Sequence, residues 1–252
     1  SEDGLPSQPC VDCLAITTRY PKRLLTPDAD LERSARAAAE AEGIGQLAAD
    51  VAADFVLVSH GHFDHVADAA KIARRNHATV IANFEICEWL SKRGAKRIHP
   101  MNIGGRCAQP FGAVRMTIAH HSSTMPNGAS GGSAAGFVLE LTDGKVYFAC
   151  DTGLFLDMRL IGEIGLDLAV LPIGDNFTMG PQDSLKALEL LRPRKVIPVH
   201  YGTWPLIEQN VQAWSQAVLR QTDAEPVVLG VGETFELKRP CVPEQAPEEA
   251  AS

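Results

Sequence analysis

His60, His62, Asp64 and His65 fall within the single short stretch SHGHFDH, residues 59–65. Imidazole nitrogen and carboxylate oxygen together suit zinc or a related divalent ion better than calcium. Three further residues of the same chemistry stand much later, at His121, Asp151 and His200. A structural zinc site is closed by four ligands, often cysteines, whereas seven His and Asp donors suffice for two ions that keep a place open for water. A carboxylate has two oxygens and a formal charge, so Asp151 is the natural bridge between two cations. One chemistry open to such a pair is hydrolysis, in which the ions lower the pKa of a bridging water and the hydroxide attacks a polarised carbonyl or phosphoryl centre. In that scheme Asp151 bridges and Asp64 orients the hydroxide or later takes its proton. The two ions are expected to be zinc, with manganese and iron as alternatives that the same ligands accept.

The elements around these residues place them. DFVLVSH (54–60) reads as a buried strand, VADAAKIARRNH (66–77) as a helix, TVIANF (79–84) as a strand and EICEWLSKRGA (85–95) as a helix. VRMTIAH, GFVLEL and KVYFAC are strands of a mainly β centre, and PNGASGGSAAG (126–136) reads as a flexible loop. The last third alternates again, with DMRLIGEIG, PQDSLKALELLRP and WPLIEQNVQAWSQAVLRQ as helices. LDLAVLPI, KVIPVH, PVVLG and ETFEL are strands. His60, His121, Asp151 and His200 therefore each follow or end a strand, where α/β proteins favour ligand sites. Strand and helix alternate on both sides of the β-rich centre, which predicts sheets sandwiched between helices. Residues 29–50, rich in Ala and Glu, predict a helix broken near Gly43 and Gly45.

Composition limits the partners. The 252 residues suffice for one large domain or two fused halves. With 23 basic against 31 acidic residues and a formal net charge of -8, broad electrostatic binding to nucleic acid or an anionic membrane is not expected. No run is long and apolar enough to span a membrane, and the opening SEDGLPSQPC lacks the pattern of a secretory signal. The first residue is Ser, which reads as a processed, trimmed or engineered start. Cys10 and Cys13 form a lone CxxC, weak evidence for a metal or redox site, and the scattered cysteines point to a reducing, cytoplasmic setting. A small-molecule substrate is expected; the oligomeric state, including a homo-oligomer, is left open.

HxHxDH at 60–65, with a distant His, Asp and His in that order, resembles the signature of the metallo-β-lactamase superfamily. HPMNIGG (99–105), AHHSS (119–123), CDTGLFLDM (150–158), PIGDNFTMGPQDS (172–184) and IPVHYGTWP (197–205) resemble its uncharacterised metal-dependent hydrolases related to ascorbate-6-phosphate lactonase. The resemblance covers about residues 46 to 238. It implies an α/β fold, the αββα sandwich of two mixed β-sheets flanked by helices, spanning 46–238, with an atypical N-terminal segment (1–45) and a disordered tail (239–252). It assigns His60, His62 and His121 to one ion, and Asp64, His65 and His200 to the other, with Asp151 between them. The ligand in AHHSS is then His121, leaving His120 a structural role, and His77 and His99 match no ligand position. Asn176, Thr178, Tyr201 and Thr203 flank the motifs as substrate contacts or as braces for the ligands. Ser122 and Ser123 have no nucleophilic role. Cys150 stands where related sequences usually have Gly and reads as a small buried residue.

The family's usual N-terminal hairpin, with its Gly-His pair and an Asp-Pro strand whose Asp supports a ligating His, is not matched in residues 1–45. There VDCLAITTRYPKRLL is expected to supply one strand. The function implied is a hydrolase of a small-molecule lactone, ester or related bond. The alternatives are a metal-dependent phosphodiesterase, or a metal-binding scaffold with little turnover for lack of those strands.

Overall fold

Alternation at a period of two sorts the side chains of each central strand between two layers. In β3 (Phe55–Leu57), Phe55 and Leu57 enter one apolar cluster, while Val56 and the following Val58 enter another. The same division runs through β4 (Thr79–Asn83), where Ile81 faces one way and Val80 and Ala82 the other. Both faces are buried, so these strands read as continuous apolar runs rather than as an alternating pattern.

The computed structural model describes residues 51–203, 205–230 and 233–238, together with the backbone of 15–17 and 23–25. Two sheets pack face to face. The first runs β1 (Ala15–Thr17), β2 (Arg23–Leu25), β3, β4 and β5 (Arg97–Met101) in sequence order, with β1 antiparallel to β2 and the rest parallel. The second starts as an antiparallel meander of β6 (Arg106–Gln109), β7 (Gly112–Ile118), β8 (Ala135–Leu141) and β9 (Gly144–Phe148). It continues in parallel through β10 (Leu168–Pro172), β11 (Lys195–Val199) and β12 (Glu225–Pro226).

Between the sheets lie Phe55, Leu57, Ile81, Phe137, Phe148 and Val170. Helices α1 (Phe63–Val66), α2 (Ala69–Asn76) and α3 (Phe84–Ser91) lie on the first sheet, burying Val66, Ile72, Ile86 and Leu90. Helices α4 (Met158–Gly162), α5 (Pro181–Leu191) and α6 (Val211–Gln221) bury Met158, Leu188, Trp214 and Val218 on the second. The buried Trp214 indole donates to Ser184 Oγ at 2.8 Å, so its one polar atom is satisfied. The αββα layering is the one expected.

Several expectations need correction. VDCLAITTRYPKRLL supplies two strands, β1 and β2, which extend the first sheet from its edge. The helix read over 66–77 is two pieces, α1 and α2, interrupted at Ala67 and Asp68; His77 ends the second in the left-handed conformation. The helix read from 204 to 221 is a 3-10 turn at Pro205–Ile207 followed by α6. Asn210 starts α6 anew by accepting from Ala213 N. Among the described residues PVVLG and ETFEL contribute only to the two-residue β12, with Val227 N still donating to Val196 O at 2.8 Å beyond it. The stretch 126–136 is not free: Asn83 Nδ2 donates to Gly131 O at 2.6 Å and to Ser133 O at 3.0 Å, and Ala135 already opens β8. The helix expected within 29–50 and the tail beyond residue 238 lie outside the described residues.

Phe137 is fully buried between the sheets, so truncating it leaves a cavity there. Phe137→Ala should lower unfolding stability by about 3–5 kcal/mol, read as a fall in the denaturant midpoint at unchanged slope.

Candidate metal centre

Strands β7, β9, β10 and β11 run in the same direction, so their carboxyl ends share one edge of the second sheet. His121, Asp151 and His200 follow β7, β9 and β11 at that edge. Opposite them, the chain leaves β3 through Val58 and Ser59 and delivers His60 and His62 in a turn, then Asp64 and His65 in α1. All seven expected ligands meet there.

Their geometry converges on one atom. Asp151 Oδ2 lies 3.7 Å from His60 Nε2, 3.4 Å from His65 Nε2, 3.6 Å from His121 Nε2 and 3.4 Å from His200 Nε2. Asp64 Oδ2 lies 3.4 Å from His65 Nε2. His62 differs in turning Nδ1 inward, 3.0 Å from His60 Nε2. Among the described residues, ligand atoms of His60, His62 and His121 form one group within 4.8 Å of one another, and those of His60, His65 and Asp151 form a second.

Electrostatics shows why a cation fits. Burial, followed by the charge of His65, holds the His60 ring well below its ordinary pKa despite the opposing pull of Asp151. Burial lowers His62 and His121 as well. These rings are therefore neutral near pH 7, with lone pairs available. Burial alone pushes Asp151 up, but the His65 and His200 rings overrule it and hold the carboxyl well below the usual range. Asp64 follows the same balance, raised by burial and brought down further by its hydrogen bond and charge interaction with His65. A buried anion faced by imidazole lone pairs is stabilised by a positive ion against both.

The outward nitrogens are held too. Ser59 Oγ lies 3.0 Å from His60 Nδ1, and Ser122 Oγ lies 3.0 Å from His62 Nε2. With Nδ1–H of His60 and Nε2–H of His62 donating to these hydroxyls, the inward nitrogens carry lone pairs, the tautomers a metal requires. Ser123 Oγ accepts from Gly61 N at 3.0 Å and donates to Gly131 O at 3.1 Å, clamping the turn between the two histidines. A Cβ at Gly61 would lie 2.5 Å from Met125 Sδ, so only glycine lets this loop close on the turn. The role of these serines was missed in the sequence; the signal available was a hydroxyl beside each ligand in SHGH and HHSS.

Backbone strain borders the hub. Cys150 and His200 adopt φ values of 55° and 54°, in the left-handed region that costs a non-glycine residue about 1–2 kcal/mol. Cys150 therefore does not sit on an extended chain. Its thiol donates towards Phe148 O at 3.7 Å, packs beside the inter-sheet cluster and belongs to neither metal-holding group. At Gly174 a Cβ would come within 2.0 Å of the His200 carbonyl, so that glycine leaves room for the ligand's own backbone.

Other candidates fall elsewhere. The exposed His120 ring stacks on Phe155 at 4.8 Å and 16°. His77 caps α2, and His99 lies in β5. Asn176 is exposed at the site edge, and Thr178 Oγ1 donates to Met179 O at 3.3 Å. Tyr201 packs against the outer core of the second sheet, and Thr203 is buried. Cys10 and Cys13 lie outside the described residues.

The fold and the ligand geometry agree with what comparison shows. Residues 31–201 match the model of the β-lactamase superfamily domain. The chain belongs to the metallo-β-lactamase superfamily. It is 48% identical over 195 residues to a UPF0173 metal-dependent hydrolase from Thermus thermophilus, covering 77% of this chain and 84% of that one. A Bacillus subtilis UPF0173 metal-dependent hydrolase is 45% identical over 194 residues, covering 75% and 84%. Among solved structures, Igni18, a metallo hydrolase from Ignicoccus hospitalis, aligns with a TM-score of 0.67 at 36% identity, over 74% of this chain and 81% of that one. An isothiocyanate hydrolase from Delia radicum gut bacteria shares the fold, with a TM-score of 0.65 at 18% identity, over 92% and 98%. Within the superfamily this chain is a metal-dependent hydrolase.

Two substitutions test the bracing. Ser59→Ala leaves a buried ring nitrogen without its acceptor and should weaken metal affinity about 10- to 100-fold, measured by competition with a chromogenic chelator. Cys150→Gly exchanges relief of the left-handed backbone for a lost contact. It should keep its full metal content, with unfolding stability within about 1 kcal/mol of the parent.

Proposed function

We propose that the site holds two divalent ions and hydrolyses a small-molecule ester, lactone or related carbonyl bond. The observation that carries this reading is the single Asp151 oxygen with four imidazole nitrogens turned towards it at 3.4–3.7 Å. One structural ion has no use for so many donors. His60, His62 and His121 would hold one ion, and Asp64, His65 and His200 the other, with Asp151 between them. Zinc is the expected metal.

When bound, such a pair supplies a Lewis acid for the carbonyl oxygen and a water acidic enough to act as nucleophile near neutral pH. The protein's own residues do the rest. Asp64, 3.4 Å from His65 Nε2, would orient the attacking water with its carboxylate and accept its proton. The serine hydroxyls keep the rings fixed while charge develops, so little reorganisation is needed during the reaction. Asn176 and Thr178, on the loop after β10, would contact substrate, whereas the burial of Thr203 favours a bracing role. The net charge of -8 supports a small molecule over nucleic acid. The scattered cysteines favour a reducing, cytoplasmic setting, and no helix among the described residues is long and apolar enough to cross a membrane.

Protein purified without added metal should contain about two ions per chain by elemental analysis. Asp151→Ala should lose at least one of them and abolish ester and lactone hydrolysis. Parent protein that neither contains nor takes up zinc or manganese would end this reading.

A further inference from the structure

The segments that follow the strand ends border the metal centre, and their composition is lopsided. Residues 59–66, 119–134, 149–158, 173–180 and 200–210 contain no Lys and no Arg, although the chain has 23. Arg159 follows the third of these segments directly, in α4, and the ion-paired Arg194, Lys195 and Arg106 lie elsewhere. Arg194 pairs with Asp167 at 3.0 Å and Lys195 pairs with Glu225, both at the opposite edge of the second sheet, and Arg106 pairs with Glu140 beside the meander. Sites that recognise phosphate or carboxylate groups usually supply Arg, Lys or a helix N-terminus for them. Among the described residues this rim supplies neither basic side chain.

What the rim displays instead is apolar. Of the seven large hydrophobic side chains exposed among the described residues, five lie in segments that leave strand ends at the site's edge. Phe63 lies between the ligands His62 and Asp64 and is 58% exposed. Phe84 opens α3 at the carboxyl end of β4. Leu156, 81% exposed, follows Asp151; Phe177, 49% exposed, lies between Asn176 and Thr178; Leu206 follows His200. Single exposed apolar residues need no explanation, but a concentration around a site does.

The segments carrying the last three are joined rather than scattered. Met179 N donates to Thr152 O at 2.8 Å, Gly153 N to His120 O at 3.1 Å and Gly202 N to Ile207 O at 2.9 Å. Gln209 Nε2 donates to Gly174 O at 3.0 Å. Two backbone bonds and the Gln209 side chain thus tie the loops after β7, β9, β10 and β11 into one platform beside the ligands.

The geometry points to a substrate without phosphate or carboxylate, whose apolar arm lies on this rim while its scissile carbonyl reaches the metal centre. The inference rests on the hydrolase reading above and narrows its substrate class to uncharged esters or lactones with an alkyl or aryl arm. Removing such an arm from water supplies binding in proportion to apolar area, and apart from the metal ions the described rim offers an anionic group no Lys or Arg.

The test uses two metal-anchored probes, acetohydroxamate and octanohydroxamate, bound to the full zinc-loaded chain and measured by titration calorimetry. Octanohydroxamate should bind at least about tenfold more tightly, given its six added methylenes. The pair Leu156→Ser and Phe177→Ser should bring the two affinities within about threefold of each other, with zinc content and acetohydroxamate affinity unchanged. Equal affinities in the parent, or a preference that survives both substitutions, would overturn the apolar rim and leave the hydrolase reading standing. A preference for phenyl phosphate over phenyl acetate in turnover would overturn the uncharged substrate. Sedimentation showing a dimer that octanohydroxamate does not dissociate would assign the rim to a second copy of the chain instead. Failure of zinc and both hydroxamates to bind would end the metal reading and this inference together.

Discussion

One buried carboxylate sets the terms for the rest of the site. Asp151 carries a charge into a region where an isolated ion is costly, and the four imidazoles around Oδ2 are near enough to be coupled to it and to one another. Neutral rings cannot by themselves balance that charge, and protonated rings would repel each other at these distances. A divalent cation resolves both problems. Burial, which holds His60 neutral, and the inward lone pairs therefore belong to the same design.

That arrangement is only as good as the elements that hold it. The ligands come from both sheets, so the inter-sheet packing of Phe55, Leu57, Phe137 and Phe148 fixes the distance between the two halves of the site. Left-handed backbone at Cys150 and His200 aims the chain on either side of the hub, and packing in the layers below holds it there. The serines after β7 add a local constraint. Ser122 holds a ring and Ser123 holds the turn, so the loop that looked free in sequence is part of the support. In this chain hydroxyls stand beside His60 and His62.

Beyond the ligands, the site is defined by its surroundings. Charge has been kept to the far edge and the outer faces, where Arg194, Lys195 and Arg106 find carboxylates. The ions a bare cluster attracts are general; the apolar rim is what can discriminate between substrates.

The sequence by itself determined which His and Asp donors are candidates, and the layer order. HGHFDH is local, its donors are chemically unmistakable, and strands buried on both faces declare themselves as apolar runs between helical stretches. It also placed His121, Asp151 and His200 at strand ends, because a strand's end is visible where the apolar run stops. Other features were decided only by the tertiary structure. The second strand of the N-terminal pair depends on an edge offered by β3, and Pro205 and Asn210 outweigh the helical spacing of 204–221 through local capping. The tether on 126–136 comes from Asn83, more than forty residues away in sequence. Which ring nitrogen faces inward, and which hydroxyl holds the other, depends on side chains brought together from opposite sheets. Periodicity records which face of an element is buried; it carries no record of what that face will meet.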